Sequence, residues 1–135
     1  MAQITTGYPG QHDAALTAES LAVACPAAGN TELLNLPVSG LSRIAVQVDV
    51  TVQALDAFII QIKLHPSAAF QTLFSAASDY TSPNGLLVGA SGNLTAQAAA
   101  SSGWFIMDVA GLHAVKVLAS GAVDGCLVSA RANGA

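Results

Sequence analysis

Residues 36–64, LPVSGLSRIAVQVDVTVQALDAFIIQIKL, hold the pattern on which the fold depends. Ile44, Val46, Val48, Val50 and Val52 alternate with Ala45, Gln47, Asp49 and Thr51. A β-strand repeats every two residues, so the first set shares one face and the second set the other. The alternation resumes after residues 53–57. Phe58, Ile60, Ile62 and Leu64 fall on one face, and Ile59, Gln61 and Lys63 on the other. The stretch reads as a β-hairpin of strands 42–52 and 57–65, ended by His65-Pro66, each strand with one face for a core.

Upstream, 31–38 reads as a strand with Leu34, Leu36 and Val38 inward, and Pro37 suits an edge position. A short strand at 20–24 stops at Pro26. Residues 1–19, with Gly7, Pro9 and Gly10 and no sustained period, read as an N-terminal arm or capping loop on a domain of residues 20–135. Downstream, Phe70, Leu73, Phe74 and Ala77 have helical spacing, so 68–78 is either a short helix or a crossover. Ser82-Pro83-Asn84-Gly85 and Ser91-Gly92-Asn93 are turns around strands at 86–90 and 94–98. Strands follow at 104–109 with Phe105, Met107 and Val109 inward, at 113–120, and at 126–132.

The central stretch has a second copy. Val38-Ser39-Gly40-Leu41 recurs as Val109-Ala110-Gly111-Leu112, and Ile44-Ala45-Val46 as Val115-Lys116-Val117. Leu34 and Leu36 match Phe105 and Met107; with a three-residue gap, Ile60 matches Val128 and Lys63 matches Arg131. The shared unit, about 32–64 and 103–132, is strand, glycine turn, strand, turn, strand. Neither unit can bury its apolar face alone, but two can cover each other. The expected fold is therefore all-β: two antiparallel sheets packed as a sandwich, jelly-roll-like, with about seven to nine strands and at most one short helix.

Composition narrows the function. One domain of 135 residues has 9% charged residues, against about 25% in ordinary soluble domains. So few charges suit a surface covered by neighbours, in a homo-oligomer or a larger assembly; the alternative is a monomer surfaced with Ser, Thr, Gln, Asn and Ala. Net charge is −4, and the four basic residues Arg43, Lys63, Lys116 and Arg131 form no cluster, which argues against a nucleic-acid partner. The first residues lack the basic and apolar regions of a secretory signal, and no apolar run is long enough for a transmembrane helix, so no membrane partner is expected.

No chemistry-bearing motif is present. His12, His65 and His113 have no metal-ligand spacing, so neither metal nor cofactor is expected. Asp56 and Asp124 occupy turns, where an aspartate supplies turn hydrogen bonds. No nucleophile elbow or phosphate loop occurs, and the chain is expected not to be an enzyme. Cys126 reads as a core residue; a bridge to Cys25 is open, because sequence does not give the distance. The candidates for contacts between subunits are Tyr8, Pro9 and His12 in the arm, Asp49 on the polar face of its strand, and Trp104.

The C-terminal third, WFIMDVAGLHAVKVLASGAVDGCLVSARA, resembles a pattern recurring in small virion structural proteins of tailed bacteriophages. Trp104, Asp108, Val109, Gly111, Leu112, Val115, Lys116, Val117, Ala119, Ser120, Gly121, Gly125, Val128 and Arg131 carry the match. The resemblance implies a non-enzymatic head decoration (cement) protein of β-sandwich fold. It would cluster as a homo-oligomer, favouring a trimer, on the major capsid protein or other virion proteins. Such a protein is made in the host cytoplasm and resides on the capsid surface. A tail, collar or fibre-associated structural protein is the nearest alternative. From another class, the alternative is a carbohydrate-binding β-sandwich module using Trp104 or Tyr80.

Overall fold

Alternating burial follows the alternating sequence. In a computed structural model that describes residues 3–6, 16–53, 55–76 and 101–135, nine strands form in chain order. They are β1 Gln3–Thr6, β2 Leu16–Cys25, β3 Thr31–Pro37, β4 Arg43–Val52, β5 Leu55–Lys63, β6 Gln71–Ala76, β7 Ser101–Asp108, β8 Ala114–Gly121 and β9 Cys126–Gly134. One sheet has the order β1-β2-β9-β4-β7 and the other β3-β8-β5-β6; every pairing is antiparallel. Strand β2 pairs with β9, β3 with β8, β4 with β7 and β5 with β6. The chain is thus a long hairpin rolled into two layers, the topology of a jelly roll, with β1 added at one edge.

The expected hairpin between 42–52 and 57–65 does not form: β4 and β5 lie in different sheets. Period two says which face of a strand is buried, not which strand pairs with it. In either arrangement the same side chains point inward. The connection at residues 53–54 also lacks the Asn-Gly or Gly-containing pair that a two-residue hairpin favours. Strand β4 ends in one layer and β5 begins in the other, and Gln53 after β4 has φ 63°.

The repeat is present, but its two units interlock instead of each making a sheet. Strand β8 lies between β3 and β5, and β4 lies between β7 and β9. Each unit's middle strand therefore fills the gap between the outer strands of the other. The registers match: Leu36 opposes Val115 as Met107 opposes Ile44, and Leu34 opposes Val117 as Phe105 opposes Val46. The third strands align differently from the expectation. Ile60 opposes Val117 and Ala132 opposes Val46, so Ile60 corresponds to Ala132 and not to Val128. The same register makes Lys63 the counterpart of Ala135, not Arg131: His113 N–H donates to the Lys63 carbonyl as Ser42 N–H donates to that of Ala135.

Two glycine turns make the matching crossings. Leu41 N–H donates to the Val38 carbonyl at 3.0 Å with Gly40 at φ 84°, and Leu112 N–H donates to the Val109 carbonyl at 2.9 Å with Gly111 at φ 86°. A positive φ at the third residue is the mark of a type II turn. A Cβ at either glycine would meet nothing within 4 Å, so only the backbone resists substitution. Gly40→Ala and Gly111→Ala are each expected to cost about 1 kcal/mol, nearly equally, in urea unfolding. Unequal losses would show that the two crossings are not equivalent.

The core lies between the sheets. Leu34, Leu36, Val115, Val117, Phe58 and Ile60 from one sheet meet Ile44, Val46, Val48, Phe105, Met107 and Val128 from the other, all buried. Burying each such aliphatic or aromatic side chain contributes about 1.5–3 kcal/mol before entropy is counted. Three expectations shift. Strand β2 begins at Leu16, four residues before the expected boundary, and β1 pairs with it. Residues 71–76 are a strand, not a helix, where β6 covers the edge of β5 that would otherwise be open. Val52 and Leu64, expected inward, are exposed. A register shift between Val50 and Val52 and the end of β5 at Lys63 take them off the core face. Pro37 does close an edge strand, β3. The expected strands and turns at 82–98 lie outside the described residues, as do Tyr8, Pro9, His12 and Tyr80.

Candidate functional site

The outer face of the five-stranded sheet gathers the polar and aromatic side chains left over by the core. Strand register sets them in rows. Trp104 on β7 opposes Gln47 on β4, Gln47 opposes Arg131 on β9, and Arg131 opposes Glu19 on β2. In the adjoining row Ile106, Ala45, Asn133 and Thr17 stand in the same order. Ala45 is the small member of its row. The result is a groove of about 580 Å³ running across four strands, bordered by Trp104 on one side and by Arg131, Asn133, Glu19 and Thr17 on the other.

Arg131 holds the centre of this face. Its Nη1 donates to Asp49 Oδ2 at 2.7 Å and its Nε to Glu19 Oε2 at 3.1 Å. Asp49 also accepts from Ser102 Oγ at 2.6 Å and from Gln47 Nε2 at 3.0 Å. The network ties β2, β9, β4 and β7 together on the outside, as the core does on the inside. Burial by itself pushes the Asp49 carboxyl up, but the hydrogen bonds from Gln47 and Ser102 and the Arg131 guanidinium outweigh it and hold the carboxyl below its usual value.

That sign has a consequence. A carboxyl whose folded pKa lies below its unfolded value of about 3.9 contributes stability above that pH, and the contribution is lost as pH falls through the folded pKa. Asp49→Asn is therefore expected to cost about 1 kcal/mol at pH 7 and to flatten the fall in urea midpoint between about pH 4 and pH 2. An unchanged acid slope in Asp49→Asn would show that the carboxylate is not held by its partners.

Of the sequence candidates, Trp104 and Asp49 meet on this face. Trp104 is 45% exposed, so it is not a core residue. Asp49 is engaged by three donors within the chain. The members that motif reading missed are Arg131, Glu19 and Gln47, which align only through pairings between distant strands. Asp124 lies in the turn before β9, but its Oδ1 accepts from Ala27 N–H at 3.1 Å, so it fastens the separate 26–30 turn and not its own; Asp56, also expected in a turn, lies within β5. His65 Nδ1 accepts from Ser67 N–H within its own turn.

Other exposed apolar side chains surround the sandwich. Val52 closes β4 opposite the start of β9, Val123 lies in the turn before β9, and Leu21 is exposed midway along β2. Leu21 is turned outward by a bulge at which Ala22 adopts φ 49° and its N–H donates to Ser129 Oγ. On the other sheet, Lys63 and Lys116 approach the Phe70 ring, at 5.6 and 4.1 Å from its centroid. Among the described residues no cluster of His, Cys, Asp and Glu is placed to hold a metal ion, and no helix is long and apolar enough to cross a membrane. The arrangement offers a recognition surface: a flat aromatic face, ordered donors and acceptors, and uncovered apolar side chains. No protein-family model and no curated protein matches the chain.

Proposed function

We propose that this chain is a non-enzymatic structural protein of a tailed-phage virion, a decoration or cement protein that stabilises the head. It would act by contacts with copies of itself and with the major capsid protein. The observation that carries this reading is the set of large apolar side chains left exposed on a surface with few charges. Trp104 stands uncovered on one sheet, and Leu21, Val52, Leu64, Leu73 and Val123 are exposed elsewhere on the sandwich. Large apolar side chains left in water favour burial against another protein. The phage-like segment 104–131 supports the reading, since it supplies β7, β8 and β9, and jelly rolls recur in viral capsids. Fold alone does not assign function, so the weight rests on the surface.

Light scattering behind a sizing column tests it. The expected result is a trimer of the 13.5 kDa chain that persists at low and high salt, because apolar contacts are not screened. Trp104→Ala is expected to shift that trimer toward monomer while changing stability by less than about 1 kcal/mol, since the indole is half exposed. A monomer at all salt concentrations that also fails to sediment with phage heads would overturn the proposal.

The groove favours a second reading, a carbohydrate-binding module. The Trp104 indole can stack on the apolar face of a sugar ring while Gln47 and Asn133 reach its hydroxyls. A glycan array separates the two: saturable glycan binding abolished by Trp104→Ala in a monomeric protein supports the module and opposes the virion role.

A further inference from the structure

We propose that Cys25 and Cys126 are a disulfide-forming pair, a latent staple between β2 and β9 that closes when the chain folds or opens locally in oxidising surroundings. The two residues are direct partners at the last position of the β2–β9 pairing. Residues directly opposed on antiparallel strands have Cα atoms about 4.5–5.5 Å apart, within the range of about 4.4–6.8 Å that a disulfide spans. Both side chains are fully buried and both thiols are free. The chain has two cysteines, so each has one possible partner within the molecule.

Their surroundings are packed closely. A Cβ placed on Gly121 would lie 2.5 Å from the Cys25 carbonyl oxygen and 2.6 Å from Cys126 Cβ. Strand β8 thus presses on the pair where it ends. Burial pushes both thiols up, Cys25 to about 11 with the neighbouring Cys126 adding to the rise, so thiolate is scarce while the fold is closed. Exchange in the native state is therefore slow, and the bond forms when the 122–125 turn opens or before β9 docks.

The chemistry balances with a low-molecular-weight disulfide such as oxidised glutathione as oxidant. One protein thiolate attacks a glutathione sulfur, the glutathione S–S bond breaks, and one glutathione thiolate leaves and takes a proton. The second protein thiolate then attacks the protein-bound sulfur of the mixed disulfide and expels the second glutathione. Two protein thiols lose two electrons and two protons, and one glutathione disulfide becomes two glutathione thiols. The closed loop spans about 100 residues, a length at which restricting the unfolded chain matters most.

The test is to unfold the full chain in urea with reductant, refold it by dilution into oxidised and reduced glutathione at pH 8, and compare it with protein refolded in reductant alone. The expected product is a chain lighter by two hydrogens with both cysteines protected from alkylation after denaturation. Its melting temperature should be higher by on the order of 10 °C, and reductant should abolish the gain in unfolded but not in folded protein. Cys25→Ala and Cys126→Ala, run separately, should each show no gain. Persistent glutathione adducts, disulfide-linked dimers, or an internal bond that lowers the melting temperature would each overturn the proposal.

Discussion

Gly121→Ala is expected to cost about 3 kcal/mol or more and to lower the urea midpoint by on the order of 1 M or more. The cause is space and not backbone freedom. Gly121 ends β8 in a strand conformation, and an added Cβ would lie 2.5 Å from the Cys25 carbonyl oxygen, 2.6 Å from Cys126 Cβ and 2.8 Å from the Val123 carbonyl oxygen. Two of these atoms are backbone, fixed by the β2–β9 pairing and the turn into β9, so they cannot swing aside. Two other glycines calibrate the effect. At Gly134 a Cβ would meet the Leu41 and Ile44 methyl groups at 2.8 and 3.1 Å, and side-chain ends can rotate. At Gly125, φ is 94° but nothing lies within 4 Å. Gly134→Ala and Gly125→Ala are therefore expected to cost about 1 kcal/mol each, and the order of the three is the measurement. If Gly121→Ala loses no more than the other two, β8, β2 and β9 do not converge as described. The point bears on function, because Val123 projects from this same end and its turn is rigid only if Gly121 holds the strands together.

The sandwich, the repeat and nearly all of the core were legible in the sequence because they follow from period two. Val46, Val48, Phe58, Ile60, Phe105 and Val128 are inward on any pairing of their strands. The rolled topology was not legible, because alternation is silent about partners: Ile44 to Val50 fits a sheet with β5 as well as it fits one with β7 and β9. The residues 70–76 carried both a helical spacing and strand-forming residues, and the open edge of β5 decided between them, an influence from outside the segment. On the outer face, Trp104 and Asp49 stood out by type. Arg131 and Glu19 could be joined to them only once the pairing of β2 with β9 was in place, since 112 positions separate them. The same pairing set Cys25 opposite Cys126, a distance that composition and spacing left open.

Phe58→Ala should be the most damaging truncation of the core, with a loss of about 3–5 kcal/mol and a fall in melting temperature of on the order of 10 °C or more. Phe58 on β5 is fully buried, and its ring meets Phe105 of β7 across the layers, edge to face at 6.0 Å and 74°. These two rings are where the interlocked repeat departs from its own symmetry. By register Phe58 corresponds to Ala130 and Phe105 to Leu34, so each ring stands where the other unit has a smaller side chain, a methyl in one case and an isobutyl group in the other. The alanines make the room: Ala119 lies directly beside Phe58 on β8. Removing the Phe58 ring leaves a cavity that β5 itself cannot move to fill, because β5 is held between β8 and β6. Phe58→Leu keeps most of the volume and is expected to cost about 1–2 kcal/mol. In a double-mutant cycle, Phe58→Leu and Phe105→Leu should show a coupling of about 0.5–1.5 kcal/mol, the part of the loss that belongs to the ring pair and not to burial. Additive losses would mean that the rings are neighbours without a specific interaction. A loss from Phe58→Ala below about 1 kcal/mol would mean that the sheets do not close over this position. In that case the outer face bearing Trp104 would have no rigid layer beneath it, and the recognition surface would lose its basis along with the core.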